Sequence, residues 1–311
     1  MTMPSVICLS LSTMQPVEFP DACVICLGNF DGVHLAHRAL MRTATKLRAH
    51  RFIDAVCGVF CFDPPSSEFL STGASIKLTT LDEKLSYFRD EGMEYVFLAS
   101  FPALREMSPE QFATEILRDK CHATALVCGF NHRFGHRGAG DPALLRTLLQ
   151  IPVEVQNEIR MDGETVSASR IRALLQEGDV ETATRLLGRH YAITSTVEHG
   201  KELGRTWGFP TVNQRFPDGM LVPRHGVYVT DCTLPDGTRR RGVTNVGVRP
   251  TVESETAVNC ETHLLDFDGS LYGERVTVRF LHFLRPEKKF DTPDALRQQI
   301  AHDLERAAAY P

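Results

Sequence analysis

The sequence predicts an α/β protein in two parts: an open parallel sheet with helices, then a small β-barrel with a terminal helix. Three observations carry this expectation. From residue 23 to about residue 156, short apolar strand-like runs alternate with helix-like segments, the pattern of βαβ units. From residue 191 onward, short strand-like segments follow one another with turn punctuation, the pattern of a barrel. At 311 residues the chain is long enough for two domains that each bury a core. The change of pattern sets the expected domains at 1–187 and 188–311.

The first element is Cys23–Leu27, an apolar run of strand type. Gly28-Asn29-Phe30-Asp31-Gly32-Val33-His34-Leu35-Ala36-His37 follows, and then a segment with helical apolar spacing through Arg48. This is a strand-to-helix turn whose glycines let backbone approach a ligand and whose helix N-terminus offers unpaired N–H groups to an anion. His34 and His37 are three apart and share a helical face. Two imidazoles beside a phosphate-sized anion site point to charge stabilisation in chemistry at phosphorus. A tight turn with two surface histidines is the alternative, and the G-N-F-D-G prefix in its strand-turn-helix setting favours the chemical reading.

The rest of the first half continues the alternation. Ile53–Phe62 reads as a buried strand stopped by Asp63-Pro64-Pro65. Thr80 with Glu83 three residues later makes a capping box for a helix through about Glu91. Tyr95–Ala99 is a strand, Ser108-Pro109 opens a helix, and Ala123–Cys128 is a strand running into Gly129-Phe-Asn-His-Arg-Phe-Gly135. Asp141-Pro142 opens the next helix and Val153–Gln156 is a last short strand. Ligands of such sheets bind beyond the carboxyl ends of the strands, where the loops after residues 28, 62 and 129 all lie.

Two short helices, Ser169–Glu177 and Val180–Leu187, break at Gly178, and Gly188 is their expected C-cap. Strand-like segments then cover 191–198, 226–233, 240–246, 261–266 and 273–283, with Asp236-Gly237 and Asp268-Gly269 as hairpin signals. Thr292-Pro293 starts a terminal helix to about Ala307. Within this half, the glycine-rich stretch 204–213 runs into a strand that carries Thr211 and Asn213 on one face. A hydroxyl and an amide oxygen are hard donors suited to Mg²⁺, an ordinary polar strand end being the alternative. Glu261 shares a strand face with His263. Held in a barrel mouth, it is suited to take a proton from an attacking alcohol, a solvated Glu on an amphipathic strand being the alternative.

Composition excludes several classes of function. Net charge is −5 with no long basic tract, which argues against a nucleic-acid partner. No apolar run approaches membrane-spanning length, and the start lacks a signal-peptide pattern. Nine scattered cysteines fit reduced thiols in the cytoplasm. Cys23 and Cys26 fall on opposite strand faces, so they read as core residues, as do Cys57 and Cys61.

Taken together, the segments GNFDGVHLAH, FDPP, LTTLDEK, GFNHRFG, SASRIR, LLGRHY, GRTWGFPTVN, GVYV, NVGVRPT, ETHLLDFDGSLYGE and KFDTPDAL resemble the bacterial bifunctional riboflavin kinase/FMN adenylyltransferase (FAD synthetase) family over roughly residues 20 to 308. The resemblance implies a Rossmann-like nucleotidyltransferase domain followed by a riboflavin-kinase barrel. It implies ATP as co-substrate, riboflavin and FMN as acceptors, FMN and FAD as products, and Mg²⁺. In the kinase half it implies Glu261 as catalytic base, Thr211 and Asn213 as Mg²⁺ ligands, and Gly204, Thr206, Gly208, Pro210, Asn245 and Arg249 as substrate contacts. In the adenylyltransferase half His34 and His37 would steady the reacting phosphate. There Gly28, Asn29, Phe30, Asp31 and Gly32 would shape the nucleotide turn, and Asn131, Ser167, Ser169 and Arg172 would contact the nucleotide.

The chain departs from the family pattern only in its first half. Ala36 replaces the glycine of H-x-G-H, Pro65 stands where the F-D/E-P-H-P loop has histidine, Ala168 replaces a serine, and His132 replaces an aromatic. Losing one polar partner at a transition state costs on the order of 2–4 kcal/mol, tens to hundreds fold in rate. Three readings follow: a bifunctional enzyme, a riboflavin kinase whose N-terminal domain only binds flavin or nucleotide, or a flavin-binding carrier or regulator without turnover, against which the retention of Thr211, Asn213 and Glu261 argues.

Overall fold

The computed structural model describes residues 2–9, 19–63, 76–199, 209–248 and 258–311. Pro64, Pro65, Gly204, Thr206, Gly208 and Arg249 lie outside the described residues. The chain divides into two compact units, Met1–Ala168 and Ser169–Pro311. This division falls before the two short helices, whereas the change of sequence pattern falls after them.

The first unit is the expected parallel α/β sheet. Its strands are β1 (Ser5–Leu9), β2 (Cys23–Leu27), β3 (Val56–Phe62), β4 (Tyr95–Ala99), β5 (Ala123–Gly129) and β6 (Val153–Gln156). They lie in the order β1-β4-β3-β2-β5-β6, and every pairing is parallel. The helices that connect them are α1 (Leu35–Arg51), α2 (Leu81–Asp90), α3 (Pro109–Gln111, continuing as a π-turn through Arg118) and α4 (Pro142–Leu149). Thr80 and Glu83 close the capping box of α2, while Ser108 and Asp141 cap α3 and α4.

The two faces of this sheet bury separate cores. Cys23, Ile25 and Leu27 pack on one face with Phe112, Ile116 and Leu145, and Val24 and Cys26 pack on the other with Met41 and Phe88. A strand buried on both faces reads as an unbroken apolar run, which is how Cys23–Leu27 reads. The edge strand β1 was not anticipated from the sequence. Its signal, the run Val6–Leu9, lies in a segment weighed only as a possible leader peptide.

The second unit opens with α5 (Ala168–Glu177) and α6 (Val180–Leu187). Gly178 between them takes φ +90°, and Gly188 caps α6 at φ +71°. A short two-stranded hairpin, β7 (Arg160–Met161) and β8 (Glu164–Thr165), closes the first unit just before them. The barrel strands are β9 (Ala192–Thr196), β10 (Thr211–Arg215), β11 (Gly226–Thr233), β12 (Arg239–Val248), β13 (Val258–Leu264) and β14 (Arg275–Arg285), followed by α7 (Pro293–Ala308). Their order is β10-β13-β12-β11-β14-β9, antiparallel throughout. The Glu198–Asn213 bridge brings the two ends of the sheet together.

Asp236-Gly237 does turn β11 into its neighbour β12, with Asp236 accepting from the Thr238 N–H. Asp268-Gly269 makes no hairpin: β12 and β11 lie between β13 and β14 in the sheet, so the chain crosses over there. A turn signal reports local backbone preference; the identity of the neighbouring strand is set by the whole sheet.

Candidate active sites

The first centre stands at the carboxyl end of β2. Phe30, Gly32 and Val33 take φ of +50°, +76° and +37°, a conformation that residues with a Cβ hold only when their surroundings impose it. Here the constraint comes from the segment ahead of α2. Buried Asp31 accepts from the Leu78 N–H at 2.9 Å, and the Gly32 N–H donates to Thr79 Oγ1 at 3.1 Å. The Phe30 ring meets Phe88 edge-on at 5.5 Å. The role of Leu78 and Thr79 was missed from sequence, where only Thr80 was read, as a helix cap.

This turn delivers His34 as the N-cap of α1. Its Nδ1 accepts from the His37 N–H at 3.4 Å, and the two rings stack with centroids 3.7 Å apart and planes 15° from parallel. Because Nδ1 accepts, the ring proton of neutral His34 sits on Nε2. The expected shared face of the two histidines is thus present, on a helix start whose dipole favours an anion. Ala36 is half-buried on the first turn of α1.

Asn131 is exposed in the turn after β5, with its Oδ1 over Gly129. The ring of His132 stacks on Phe134 at 6.1 Å, and burial lowers its pKa to about 4. Ser167 is half-buried at the end of the first unit. Exposed Ser169 and half-buried Arg172 lie on α5.

In the second unit strand register assembles the other centre. Asn213 on β10 lies directly opposite Glu261 on β13, which lies directly opposite Asn245 on β12. Directly paired residues point to one face with Cβ atoms about 5 Å apart, so three residues far apart in sequence form one polar row. Thr211 shares that face, opposite His263. The His263 Nδ1–H donates to the carbonyl of exposed Pro210 at 2.8 Å, and Phe209 packs edge-on against its ring at 5.8 Å.

The reverse face carries a hydroxyl ladder, Thr230–Thr244–Thr262, each step 2.8 Å and every member fully buried. Strand alternation sends Cys260 and Thr262 inward and Glu261 outward, to the face on which Val243 packs with Ala307 of α7. Beside the row Gln214, unremarked in the sequence, turns inward. Its Nε2 donates to the Ser195 and Val276 carbonyls, each at 2.8 Å, and closes the seam between β10 and strands β9 and β14.

One atom of the row is unsatisfied. Asn213 is 8% exposed, its Nδ2 donates to the Thr211 carbonyl at 3.4 Å, and its Oδ1 is buried with no hydrogen-bond donor among the described residues. A buried acceptor left unmet costs about 1–3 kcal/mol. A hard cation would meet it, so the donor set fits Mg²⁺.

A family model described as FAD synthetase matches residues 17–170, and one described as riboflavin kinase matches residues 187–310. Proteins named bifunctional riboflavin kinase/FMN adenylyltransferase are similar over nearly the whole chain. That of Haemophilus influenzae is 33% identical over 295 residues, 93% of this chain and 94% of its own. That of Pseudomonas fluorescens is 35% identical over 291 residues, 92% of each.

A solved structure described as a macrolide-efflux protein from Streptococcus pneumoniae superposes with a TM-score of 0.86 at 28% identity, covering 98% of this chain and 99% of that one. Among the described residues no helix is long and apolar enough to cross a membrane. The parallel sheet, the outward polar row and the two tandem matches agree, and the chain belongs to the bifunctional riboflavin kinase/FMN adenylyltransferase family.

Proposed function

We propose that this chain phosphorylates riboflavin to FMN at the barrel and adenylylates FMN to FAD at the parallel sheet, with ATP as the donor in each step. One observation carries the reading: each separately matched half holds its own polar centre, the Asn213–Glu261–Asn245 row in one and the His34–His37 stack in the other. These centres favour the bifunctional reading over a kinase with an inert N-terminal domain.

At the barrel the riboflavin 5′-hydroxyl attacks the γ-phosphorus, Glu261 takes its proton, and ADP leaves. Thr211 and Asn213 would hold Mg²⁺, which neutralises phosphate charge; among the described residues Asn213 Oδ1 meets no competing donor. Asn245, level with Glu261, orients the acceptor alcohol. At the sheet an FMN phosphate oxygen attacks the α-phosphorus and pyrophosphate leaves. His34, through Nε2–H, and His37 stabilise charge on the reacting phosphate, and no covalent enzyme intermediate is needed. Asn131, Ser167, Ser169 and Arg172 are assigned to nucleotide contacts. Gly204, Thr206, Gly208, Pro210 and Arg249 are assigned to the kinase substrates.

We place the enzyme in the cytoplasm, because its nine cysteines are all free and eight are buried, as a reducing compartment permits. Incubating the purified protein with riboflavin, ATP and Mg²⁺ and separating the flavins tests the reading. FAD as end product supports it; FMN that accumulates without FAD leaves only the kinase.

A further inference from the structure

The outward face of the barrel sheet carries a second carboxylate, to which the kinase reading gives no role. Two residues beyond Asn245 on β12 stands Gly247, directly opposite Asn259 of β13. Thr244 and Val246 are fully buried and point inward, so strand alternation turns Asn245 and Gly247 outward. Gly247 is itself buried although it has no side chain. A Cβ placed on it would stand 2.7 Å from Glu287 Cδ and closer still to Oε1. The Glu287 carboxylate thus occupies the space that a side chain at 247 would fill. It lies one strand repeat, about 7 Å, beyond Asn245, and diagonal to Glu261.

The segment that bears Glu287 is held at both ends. Arg285, paired with buried Asp303, donates from Nη1 to the Pro286 carbonyl at 3.2 Å and lies over the Phe290 ring at 5.8 Å. Glu287 falls between these anchors and is exposed, so a ligand can reach its carboxylate. Glu261, Asn245, Asn259 and Glu287 then place two carboxylates and two amides on one face. Carboxylates accept and amide nitrogens donate, which complements a chain of hydroxyls, since each hydroxyl does both. Thr211 and Asn213, assigned to Mg²⁺, are on β10 at the other side of Glu261. Glu287 stands on the side of Asn245, where the acceptor alcohol is assigned.

We propose that Glu287 is a further substrate-binding residue of the kinase centre, accepting a hydrogen bond from a ribityl hydroxyl behind the reacting 5′-hydroxyl. The inference rests on the kinase reading and adds to it a recognition of the acceptor's polyol chain.

The full chain with Glu287→Ala is compared with wild type and with Glu287→Gln. The KM for riboflavin is expected to rise roughly tenfold or more, the scale of one hydrogen bond to a charged group. The kcat, the KM for ATP and FMN adenylylation stay unchanged, as for the loss of a contact made equally in ground and transition states. Glu287→Gln keeps an acceptor oxygen and retains part of the affinity. Gly247→Ala puts a methyl group where the carboxylate lies; it also raises the KM for riboflavin, and adds nothing when combined with Glu287→Ala. In flavin fluorescence titrations without ATP, Glu287→Ala weakens riboflavin binding and leaves lumiflavin, the same ring without the ribityl chain, unaffected.

An unchanged KM for riboflavin in Glu287→Ala overturns the proposal. A rise confined to the KM for ATP overturns it too and moves the contact to the nucleotide's ribose. Equal weakening of riboflavin and lumiflavin overturns it and makes Glu287 structural. If wild type forms no FMN, the kinase reading fails by itself, and the two titrations still decide whether Glu287 meets the polyol.

Discussion

Asn213 and Glu261 are direct partners across β10 and β13, so the buried amide oxygen, which meets no donor among the described residues, and the outward carboxylate project side by side. In the proposed assignment this pairing brings a would-be cation ligand and a would-be proton acceptor to one spot through strand register. Replacing Asn213 with Ala removes the hard donor. The kinase rate is expected to fall about 10²–10³-fold, the scale of losing one charge-stabilising group, with half-saturation moved to higher Mg²⁺. Steady-state rates over a Mg²⁺ series check this.

Glu261→Gln keeps the shape and removes the proposed base. Riboflavin phosphorylation is expected to drop about 10²–10⁴-fold with little change in the KM for riboflavin. A rate within a few-fold of wild type would take the proton-acceptor role away from Glu261.

The turn before α1 depends on its anchor. Thr79→Val strips the Gly32 N–H of its acceptor and is expected to cost about 1–3 kcal/mol. Gly32→Ala forces a Cβ into φ +76° and should cost about 1–2 kcal/mol. In each case FAD formation should suffer more than FMN formation, because the displaced turn carries His34. Denaturant melts and the two activities measured in parallel check it.

His132 gives a pH signature. Its folded-state pKa, about 4, lies below the value near 6.5 expected in the unfolded chain. The unfolded state then binds the extra proton first, so stability is full above pH 6.5, declines as pH falls toward about 4, and is flat below that as far as this group is concerned. The slope is at most about 1.4 kcal/mol per pH unit. His132→Phe should remove it, as urea melts from pH 7 to 4 would register.

The buried pair between Arg285 and Asp303 pins the last strand to α7, with Arg285 Nη2 donating at 2.8 Å to an Asp303 carboxylate that is 2% exposed. Asp303→Ala leaves that guanidinium without its partner and should cost about 3–5 kcal/mol. The loss should appear as a lower melting temperature with the FMN adenylylation rate intact.

What the sequence disclosed was local chemistry. The Thr80–Glu83 capping box, the Gly178 break and the Gly188 cap are decided within a few residues, and they stand in the structure as read. The turn at 28–37 was legible because its glycines and histidines are adjacent in the chain. What stayed hidden depends on partners remote in sequence. The Asp268-Gly269 turn fails as a hairpin because β13 and β14 are not neighbours, and Glu261 faces outward because its flanking residues fill the interior. Lys84 reads as one more helix-surface lysine until the fold wraps around it.

The central claim is that two independent centres act in one chain, and mixing two inactivated proteins tests it most directly. Glu261→Ala should make FAD from FMN but nothing from riboflavin, and His34→Ala should stop at FMN. Mixed in one tube with riboflavin, ATP and Mg²⁺, they should restore FAD. If the mixture forms no FAD although each variant keeps its remaining step, the centres are not independent and the account is wrong.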